Sequence, residues 1–336
     1  MRTALATGVR EPLTLTERDV PEPGPGEVLV RVTGCGVCHS DLNLLHGGYP
    51  FARFPVVPGH EITGVVEAVG DGVSLPAAGT AVAGQFLFDS DGTCDYCVSG
   101  EPILCRRKRI TGVVVDGGYA EYTVLKAAFA TPLPEGLDPV TAAPLACAGL
   151  TAYNGLRQGG ARPNSRVAVI GTGGMGSLAI RYAVALGARV AVVGRSRRGE
   201  DAAKELGAER FVASADEDPG EALATWDGGA DLVLNTAPAN ATAAASVPGL
   251  APDGTLVMCG YDTEPLVLEA QQMVLNRLHV MASPSGSPHA LRDTLDFSAR
   301  HGIVPEVHVI GLDGAGAALD AMDAHTAHGR SVIAFP

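Results

Sequence analysis

Between residues 165 and 260, short apolar runs alternate with stretches of helical spacing. Arg166–Ile170 is a compact apolar run, and residues 189–193 form a second one. The segment 178–186 between them has the spacing of a helix, and Gly187 is a suitable residue to end it. Strands that alternate with helices in this way predict a parallel, doubly wound α/β sheet.

The same alternation continues towards residue 281. Residues 201–206 predict a helix that ends at Gly207, and a strand begins at Phe211 and Val212. Further strands are predicted at residues 232–234, 255–258 and 278–281. The segment 151–284 is therefore expected to form one domain around this sheet.

The first 150 residues have a different pattern, with short β segments separated by turns. Residues 27–32 alternate in part between polar and apolar, as a half-buried strand does, and residues 62–69 are another strand candidate. A chain of 336 residues is long for one core. We expect residues 1–150 and 285–336 to form a second, β-rich domain.

Composition narrows the possible functions. The chain is 46% hydrophobic and 18% charged, with a formal net charge of −13, so disorder and nucleic-acid binding are disfavoured. A basic run at residues 106–109 is interpreted as a solvated patch or as counter-charge to nearby carboxylates. The N-terminus lacks the apolar core of a signal peptide, and no apolar run reaches the ~18–20 residues that span a bilayer. These features predict a cytoplasmic protein with no membrane partner, whose seven cysteines stay reduced.

A glycine cluster follows the strand at Arg166–Ile170 and opens a helix. Its spacing fits G-x-G-x-x-G, the pattern of a dinucleotide-binding loop: the glycines allow a tight turn, close approach of a pyrophosphate and close packing of helix on strand. The alternative is a glycine-rich turn in an unrelated α/β protein. The predicted cofactor-binding residues in this loop are Gly171, Gly173, Gly174, Met175 and Gly176.

The end of the second strand predicts which dinucleotide binds. An NAD(H) site usually has an acidic residue there, but this strand ends with Gly194, followed by Arg195, Ser196 and Arg197. Guanidinium groups bind a 2′-phosphate, whereas a carboxylate repels it. We therefore expect NADP(H) rather than NAD(H); the alternative is that these arginines are only exposed loop residues.

Three separated motifs contain possible metal ligands. Cys38 lies in a Cys-His-Ser-Asp sequence, His60 and Glu61 follow Gly59, and Cys147 stands shortly before the glycine loop. A single cysteine is more often a packing residue than a ligand. The order of these motifs along essentially the whole chain, however, resembles the zinc-containing medium-chain dehydrogenase/reductase family of alcohol dehydrogenases. That resemblance implies a GroES-like β-rich catalytic domain beside the Rossmann domain.

The resemblance also implies roles for these residues. Cys38, His60 and Cys147 match the catalytic zinc ligands, and Glu61 matches a carboxylate that can approach the metal. Asp41 matches the acid that orients the histidine ligand. Ser40 matches the hydroxyl that relays the alcohol proton. Cofactor contacts are implied for His39, Thr151 and Arg330; Cys35 matches no ligand and is interpreted as a packing residue.

A second group of cysteines resembles the structural zinc lobe of the same family. Cys94, Cys97 and Cys105 match three of its four ligand positions, and Asp91 stands at the first. A carboxylate can replace a thiolate as a zinc ligand. We expect a structural site made of these four residues; the alternative is a lobe that binds metal weakly or not at all.

Two positions depart from the family pattern or are left open. Some members end the proton relay at a histidine where this chain has Asn43, and nearby His46 is either a substitute or a loop residue. The substrate pocket is expected to draw on several aromatic residues and on residues 283–287. The aromatic residues expected at the pocket are Tyr49, Phe51, Phe54 and Phe86.

Together these features predict a zinc-dependent alcohol dehydrogenase or aldehyde reductase that acts on a small-molecule alcohol or aldehyde. The alternatives are an NADPH-dependent reductase of C=C or C=N bonds on the same scaffold, and a non-catalytic binding protein that has kept the fold. Family members are commonly dimers or tetramers, so a homodimer or homotetramer is expected, paired through a strand such as residues 255–258 or 278–281.

Overall fold

The computed structural model describes residues 1–327 and 329–336. The chain divides into two compact units, one of Met1–Cys147 with Gly286–Pro336 and one of Ala148–Ser285. The sequence placed these divisions at residues 150 and 285. Within the described residues, none of the helices is long and apolar enough to cross a membrane.

The strands, in chain order, are short except for three that have nine or ten residues. They are β1 (Arg2–Leu5), β2 (Thr14–Glu17), β3 (Glu27–Gly36), β4 (Glu61–Val69), β5 (Ala81–Gly84), β6 (Leu87–Asp89), β7 (Arg109–Ile110), β8 (Tyr122–Lys126), β9 (Thr131–Pro132), β10 (Arg166–Ile170), β11 (Arg189–Gly194), β12 (Arg210–Ala213), β13 (Ala230–Asn235), β14 (Leu250–Met258), β15 (His279–Ala282), β16 (Val307–Ile310) and β17 (Arg330–Ala334).

The α-helices range from single turns to fourteen residues. They are α1 (His39–Leu45), α2 (Asp95–Val98), α3 (Pro139–Ala142), α4 (Ala148–Gln158), α5 (Gly174–Ala185), α6 (Glu200–Glu205), α7 (Pro219–Ala224), α8 (Asn240–Ser246), α9 (Ala270–Asn276), α10 (Pro288–His301) and α11 (Ala315–Asp323).

The first unit is built on a largely antiparallel sheet of order β16-β17-β3-β4-β5-β9, with β8 also paired to β3. Strand β3 extends beyond the predicted residues 27–32, and its last part pairs with the start of β4, so that Gly36 faces Glu61. This extension brings the segment after β3 and the segment before β4 to the same end of the sheet. The core beneath it is apolar and includes Val30, Val32, Ile62, Val66, Leu125 and Ile333.

The second unit contains a six-stranded sheet of order β12-β11-β10-β13-β14-β15, in which every neighbouring pair is parallel. Helices therefore connect the strands, and the central strands are buried as nearly continuous apolar runs. The predicted doubly wound fold is confirmed. Because all strands point the same way, the loops after β10 and β11 lie at the same edge of the sheet, where ligands bind in such folds.

Two elements begin at least four residues before the start that the sequence predicts. Helix α5 begins at Gly174 rather than at residue 178, because the glycine loop itself forms the first helical turn. Strand β14 begins at Leu250 rather than at residue 255 and contains a turn at Asp253, whose φ is +68°. Apolar periodicity predicts only the buried part of an element. Glycine and aspartate near the start of α5 and β14 interrupt that periodicity, so the predicted start lies too late.

Candidate active site

The first cluster, called here the buried cluster, consists of Cys38, His60, Glu61 and Cys147. Cys38 precedes α1, His60 and Glu61 lie at the start of β4, and Cys147 follows the 3₁₀ turn Ala143–Ala146. One ligand atom from each residue lies within 4.8 Å of all the others. The two cysteines are 9% exposed, His60 is 1% exposed and Glu61 is fully buried.

Asp41 holds this cluster in place. One of its carboxylate oxygens, Oδ2, accepts hydrogen bonds from the Cys38 backbone N–H at 3.0 Å and from the Tyr119 hydroxyl at 3.1 Å. The other, Oδ1, lies 3.1 Å from His60 Nδ1 and accepts the Gly59 N–H at 3.2 Å. With Nδ1 directed at a carboxylate, the second ring nitrogen is left for another partner.

This second ring nitrogen is His60 Nε2. The atom is buried and has no hydrogen-bond partner among the described residues. An orphaned polar atom in the interior is costly unless a ligand satisfies it. Two thiols and this nitrogen form a donor set that suits zinc, so the residues present fit a metal ion.

The ionisation of the thiols is consistent with that fit. The hydrogen bond from Cys147 lowers the pKa of Cys38 well below its usual value, despite burial, and raises the pKa of Cys147 well above it. Burial acts to lower the pKa of His60, but the charges of Asp41 and Cys38 raise it well above its usual value. A thiolate at Cys38 is the form in which cysteine binds metal.

Glu61 forms a buried ion pair with Arg330. The guanidinium Nη2 of Arg330 donates to both carboxylate oxygens of Glu61, and the Arg330 side chain is 9% exposed. Burial raises the pKa of Glu61 to about 8, against the opposing charge of Arg330. The family resemblance implies only a cofactor contact for Arg330. The Nε atom of Arg330 is buried and has no hydrogen-bond partner among the described residues.

The second cluster, called here the lobe cluster, consists of Asp91, Cys94, Cys97 and Cys105, whose ligand atoms also lie within 4.8 Å of one another. The Sγ atoms of Cys94 and Cys97 are 3.5 Å apart, and Cys105 Sγ is 3.2 Å from Asp91 Oδ2. Three thiols and one carboxylate at such separations also fit a tetrahedral zinc ion.

The Asp91 carboxylate is fixed by its surroundings. Oδ1 accepts the backbone N–H groups of Thr93 and Cys94, both at 2.8 Å, and Oδ2 accepts Arg107 Nε at 2.8 Å. These bonds, the backbone ones first, hold the pKa of Asp91 well below its usual value. Arg109 likewise pairs with Asp89. Of the two interpretations of the basic run at residues 106–109, these two arginines therefore fit the one in which it supplies counter-charge to nearby carboxylates.

The glycine loop has the geometry that a phosphate-binding loop needs. Gly171 has φ +102°, and a Cβ at Gly176 would lie 2.1 Å from the Gly171 carbonyl oxygen, so neither position tolerates a side chain. Gly173, which precedes α5, has open space where a Cβ would stand. A pyrophosphate can therefore approach the backbone at the helix N-terminus, where it is electrostatically favoured.

Comparison with known proteins decides the family. Residues 24–135 match the alcohol dehydrogenase GroES-like domain, and residues 174–300 match the zinc-binding dehydrogenase domain. The chain is 35% identical over 334 residues to an alcohol dehydrogenase from Geobacillus stearothermophilus, covering 99% of this chain and 98% of that one. The chain belongs to the zinc-type medium-chain alcohol dehydrogenase family. It is therefore an oxidoreductase that acts on CH–OH groups.

Two further relatives extend the comparison. The dehydrogenase is 35% identical over 336 residues to an NADP-dependent alcohol dehydrogenase C from Mycobacterium tuberculosis, which covers 98% of this chain and 96% of that one. A solved cinnamyl alcohol dehydrogenase from Sorghum bicolor has a TM-score of 0.90 and 30% identity, with coverage of 99% and 97%. The predicted GroES-like and Rossmann architecture is thereby confirmed.

The residues predicted to contact the cofactor outside the glycine loop lie at several places in the dehydrogenase. His39, the first residue of α1, has its pKa lowered chiefly by burial, and Ser40 follows it in the same helix turn. Thr151 is buried within α4. At the end of β11, a Cβ on Gly194 would lie 2.5 Å from the Phe211 ring, and the side chains of Arg195, Ser196 and Arg197 that follow are exposed.

The aromatic residues expected at the pocket lie beside the buried cluster. Phe86 stands edge-on to the His60 ring, with ring centroids 5.2 Å apart, and Tyr49 lies 6.1 Å from Phe86. Phe51 is 5.7 Å from Tyr49 and 55% exposed, while Phe54 packs in the small apolar cluster beneath. The buried hydroxyls of Ser283 and Ser285 have no hydrogen-bond partner among the described residues.

One residue of the site, Tyr119, was not found in the sequence, and the position of His46 bears on its two interpretations. Tyr119 carries no motif, yet its hydroxyl bonds Asp41. His46 lies at the end of α1, with Nε2 3.6 Å from Asp323 on α11, an exposed pairing typical of a surface residue. Asp41 bonds residues of the buried cluster, whereas the partner given for His46 is Asp323 on α11. This contact favours the interpretation of His46 as a surface residue.

Proposed function

We propose that this dehydrogenase binds a catalytic zinc ion through Cys38, His60 and Cys147 and transfers hydride reversibly between NADP(H) and an alcohol or aldehyde. The observation that carries this proposal is the buried Nε2 of His60, which lies beside two thiols and has no hydrogen-bond partner among the residues that the structure describes. When bound, zinc supplies Lewis acidity to the substrate oxygen, and the nicotinamide supplies or accepts the hydride.

The remaining residues of the site orient groups or move protons. Asp41 keeps the His60 proton on Nδ1, so that Nε2 stays a ligand. Ser40 is proposed to pass the alcohol proton, since a hydroxyl both donates and accepts. Arg330 opposes the rise in the pKa of Glu61 that burial causes and holds the Glu61 side chain beside the proposed metal ligands. With Asn43 in place of a histidine, the proton leaves by another route.

A structural zinc ion is proposed for the lobe cluster. Asp91 Oδ2 and the three thiols are its ligands, because Oδ1 already accepts three protein donors. Arg107 then offsets part of the negative charge that one carboxylate and three thiolates place around a divalent ion.

NADP(H) is the proposed cofactor because arginines, and not a carboxylate, stand directly after β11. The relative from Mycobacterium tuberculosis, an NADP-dependent alcohol dehydrogenase C, supports the same choice. The glycine loop, Gly171 to Gly176, is proposed to bind the pyrophosphate, with His39, Thr151 and Arg330 as further contacts.

A second copy of the chain is proposed to pair at the edge of the six-stranded sheet. Strand β15 is the edge strand, and Val280 within it is 39% exposed. Val274 and Leu275 on neighbouring α9 are 78% and 75% exposed. An exposed apolar edge strand is a site for pairing between chains, so a homodimer or homotetramer is expected. Light scattering of the purified protein tests this.

The decisive experiment combines metal analysis with a substrate screen. Purified protein is expected to contain zinc and to oxidise NADPH faster than NADH with aldehydes. Enones and cyclic imines are included because their preferential reduction would indicate the alternative C=C or C=N chemistry. Protein with no zinc but full aldehyde activity would contradict the proposed role of the buried cluster.

A further inference from the structure

The three thiols of the lobe cluster differ in exposure. Cys94 and Cys97 are half-buried, whereas Cys105 is fully buried. Cys105 is also engaged by its neighbours, because its Sγ lies 3.2 Å from Asp91 Oδ2 and accepts the Arg107 backbone N–H at 3.4 Å. A small molecule that arrives from solvent therefore meets Cys94 and Cys97 before it meets Cys105.

Cys94 and Cys97 are also close enough to react with each other. Cys94 is the N-cap of the single turn α2, Cys97 lies within that turn, and their Sγ atoms are 3.5 Å apart. A disulfide bond is about 2.05 Å long, so the two sulfurs need to approach by only about 1.5 Å. The turn contains no buried residue whose packing opposes this movement. Two cysteines separated by two residues are also the spacing of disulfide oxidoreductases.

The cysteines outside the lobe cluster are less suited to reaction with an oxidant. Cys35 is fully buried, and Cys38 and Cys147 are 9% exposed. Cys259 is the single cysteine of the second unit, and burial raises its pKa to about 12. Because the thiolate rather than the thiol attacks an oxidant, Cys259 is held in its unreactive form. An oxidant is therefore expected to react first in the lobe.

Asp91 makes metal binding by the lobe depend on this one pair of thiols. In a lobe with four cysteines, a disulfide between two of them leaves two thiolates for the metal. Here it leaves the Cys105 thiolate and the Asp91 carboxylate, and the Arg107 guanidinium, 2.8 Å from Oδ2, competes for that carboxylate. Structural zinc sites almost always have four protein ligands, and cysteine binds as the thiolate. Oxidation of one pair is therefore expected to release the ion.

We propose that the Cys94–Cys97 pair is an oxidation site for hydrogen peroxide, at which formation of a disulfide releases the zinc ion of the lobe and opens residues 91–105. This inference rests on the proposed structural zinc ion. One thiolate attacks a peroxide oxygen, giving a sulfenic acid and hydroxide, and the second thiolate attacks that sulfur, forming the S–S bond and releasing a second hydroxide. The two sulfurs lose two electrons and the peroxide gains them, while zinc leaves as Zn²⁺. A dithiol reverses the step by exchange.

The test treats the full, zinc-loaded chain with an equimolar amount of hydrogen peroxide until the peroxide is consumed. A chromogenic chelator measures released zinc, and alkylation followed by peptide mass spectrometry maps the disulfide. About one of the two zinc ions should be released, in proportion to a Cys94–Cys97 disulfide, and residues 91–105 should become sensitive to protease. Dithiothreitol with added zinc should reverse all three changes. A disulfide that includes Cys105, or one between Cys38 and Cys147 that forms first, would overturn the inference.

Two variants separate the pair from other thiols and test the part played by Asp91. Cys259→Ser removes a half-buried thiol outside the lobe and is the matched control, which should release zinc as the wild type does. Asp91→Cys gives the lobe a fourth thiolate, so that one disulfide leaves two thiolates on the metal, and zinc release should be several-fold slower. Protection by Cys259→Ser would place the reacting thiol elsewhere and overturn the inference. Equal rates for wild type and Asp91→Cys would overturn the part assigned to Asp91.

The outcomes also separate this inference from the proposed structural zinc ion. A wild type that contains only about one zinc ion per chain before treatment overturns the structural site and, with it, the release of zinc from the lobe. A wild type that contains two ions and keeps both after the peroxide is consumed overturns the inference alone. So does zinc release while Cys94 and Cys97 are both still reduced.

Discussion

The buried cluster and the lobe cluster contain similar donor atoms in different surroundings. The buried cluster lies where β3 and β4 meet, and Asp41 bonds two of its residues. The lobe cluster lies around α2, a single turn with no buried residue, and the 3₁₀ turn Pro102–Leu104. Its apolar residues are largely exposed, with Val98 at 76% and Leu104 at 42%.

This difference teaches what a metal ion does in each place. The sheet and its apolar core surround the buried cluster, so the proposed zinc ion there is expected to serve chemistry rather than folding. The lobe has little core of its own, and metal binding supplies folding free energy in such small elements. Loss of metal from the buried cluster should therefore cost activity, and loss from the lobe should cost local structure.

The largest expected effect comes from Cys38→Ala. Removing this ligand should lower kcat for aldehyde reduction about 1000-fold, because Lewis acidity contributes several kcal/mol to stabilising the transition state. Zinc content should fall by one ion per chain while the melting temperature changes little. Cys35→Ala is the matched control: Cys35 is a fully buried thiol in the same segment, and its loss should leave the zinc content unchanged. Full activity of Cys38→Ala would refute the role assigned to zinc.

Asp41→Asn should have the next largest effect. The amide keeps the size of the side chain but lacks the charge that holds the His60 proton on Nδ1, so zinc affinity or activity should fall about 10- to 100-fold. Competition with a chelator measures the affinity directly. Tyr119→Phe removes one hydrogen bond to the same carboxylate and should have a smaller effect; equal effects would mean that the charge of Asp41 contributes no more than this one hydrogen bond.

Asp91 allows the lobe to be tested without touching the buried cluster. Asp91→Ala should lower the zinc content from about two ions per chain to about one and make residues 91–105 sensitive to protease, while kcat changes little. Asp91→Cys should keep both ions and bind the second more tightly, because a thiolate is the commoner structural ligand. If the wild type contains only about one zinc ion per chain, the proposed structural site does not exist; if Asp91→Ala still contains two, Asp91 is not a ligand.

The comparison also shows what the sequence could predict. Both clusters were found because their ligands lie in short motifs, and the glycine loop was found for the same reason. Partners far apart in the chain were not: Arg330 bonds Glu61 across 269 residues, and Tyr119 reaches Asp41 across 78. Such contacts depend on the strand order of the sheet, which local spacing does not encode.

The same limit applies to charge. The arginines after β11 look alike in the sequence, but Arg197 is surrounded by carboxylates, two of them from the loop after β12. The pairing of β11 with β12 brings that loop alongside. The sequence gives the charge of each residue. Whether neighbouring residues neutralise that charge, as three carboxylates do at Arg197, depends on the fold.

Arg107→Ala should have the smallest effect and gives the sharpest comparison. The Arg107 side chain is 70% exposed, so its ion pair with Asp91 is well solvated and its loss should weaken zinc binding to the lobe by about threefold or less. Arg109→Ala, which breaks the neighbouring pair with Asp89, is the control and should not change zinc binding.

A large effect of Arg107→Ala would reverse the assignment of roles in the lobe. Asp91 Oδ2 has both Arg107 and Cys105 as neighbours, so a lobe without metal would rely on the Arg107–Asp91 pair to stay folded. Removing Arg107 would then expose residues 91–105 to protease as fully as Asp91→Ala does. With zinc bound, the metal holds Asp91 in place of the guanidinium, and the Arg107→Ala lobe should resist protease as the wild type does.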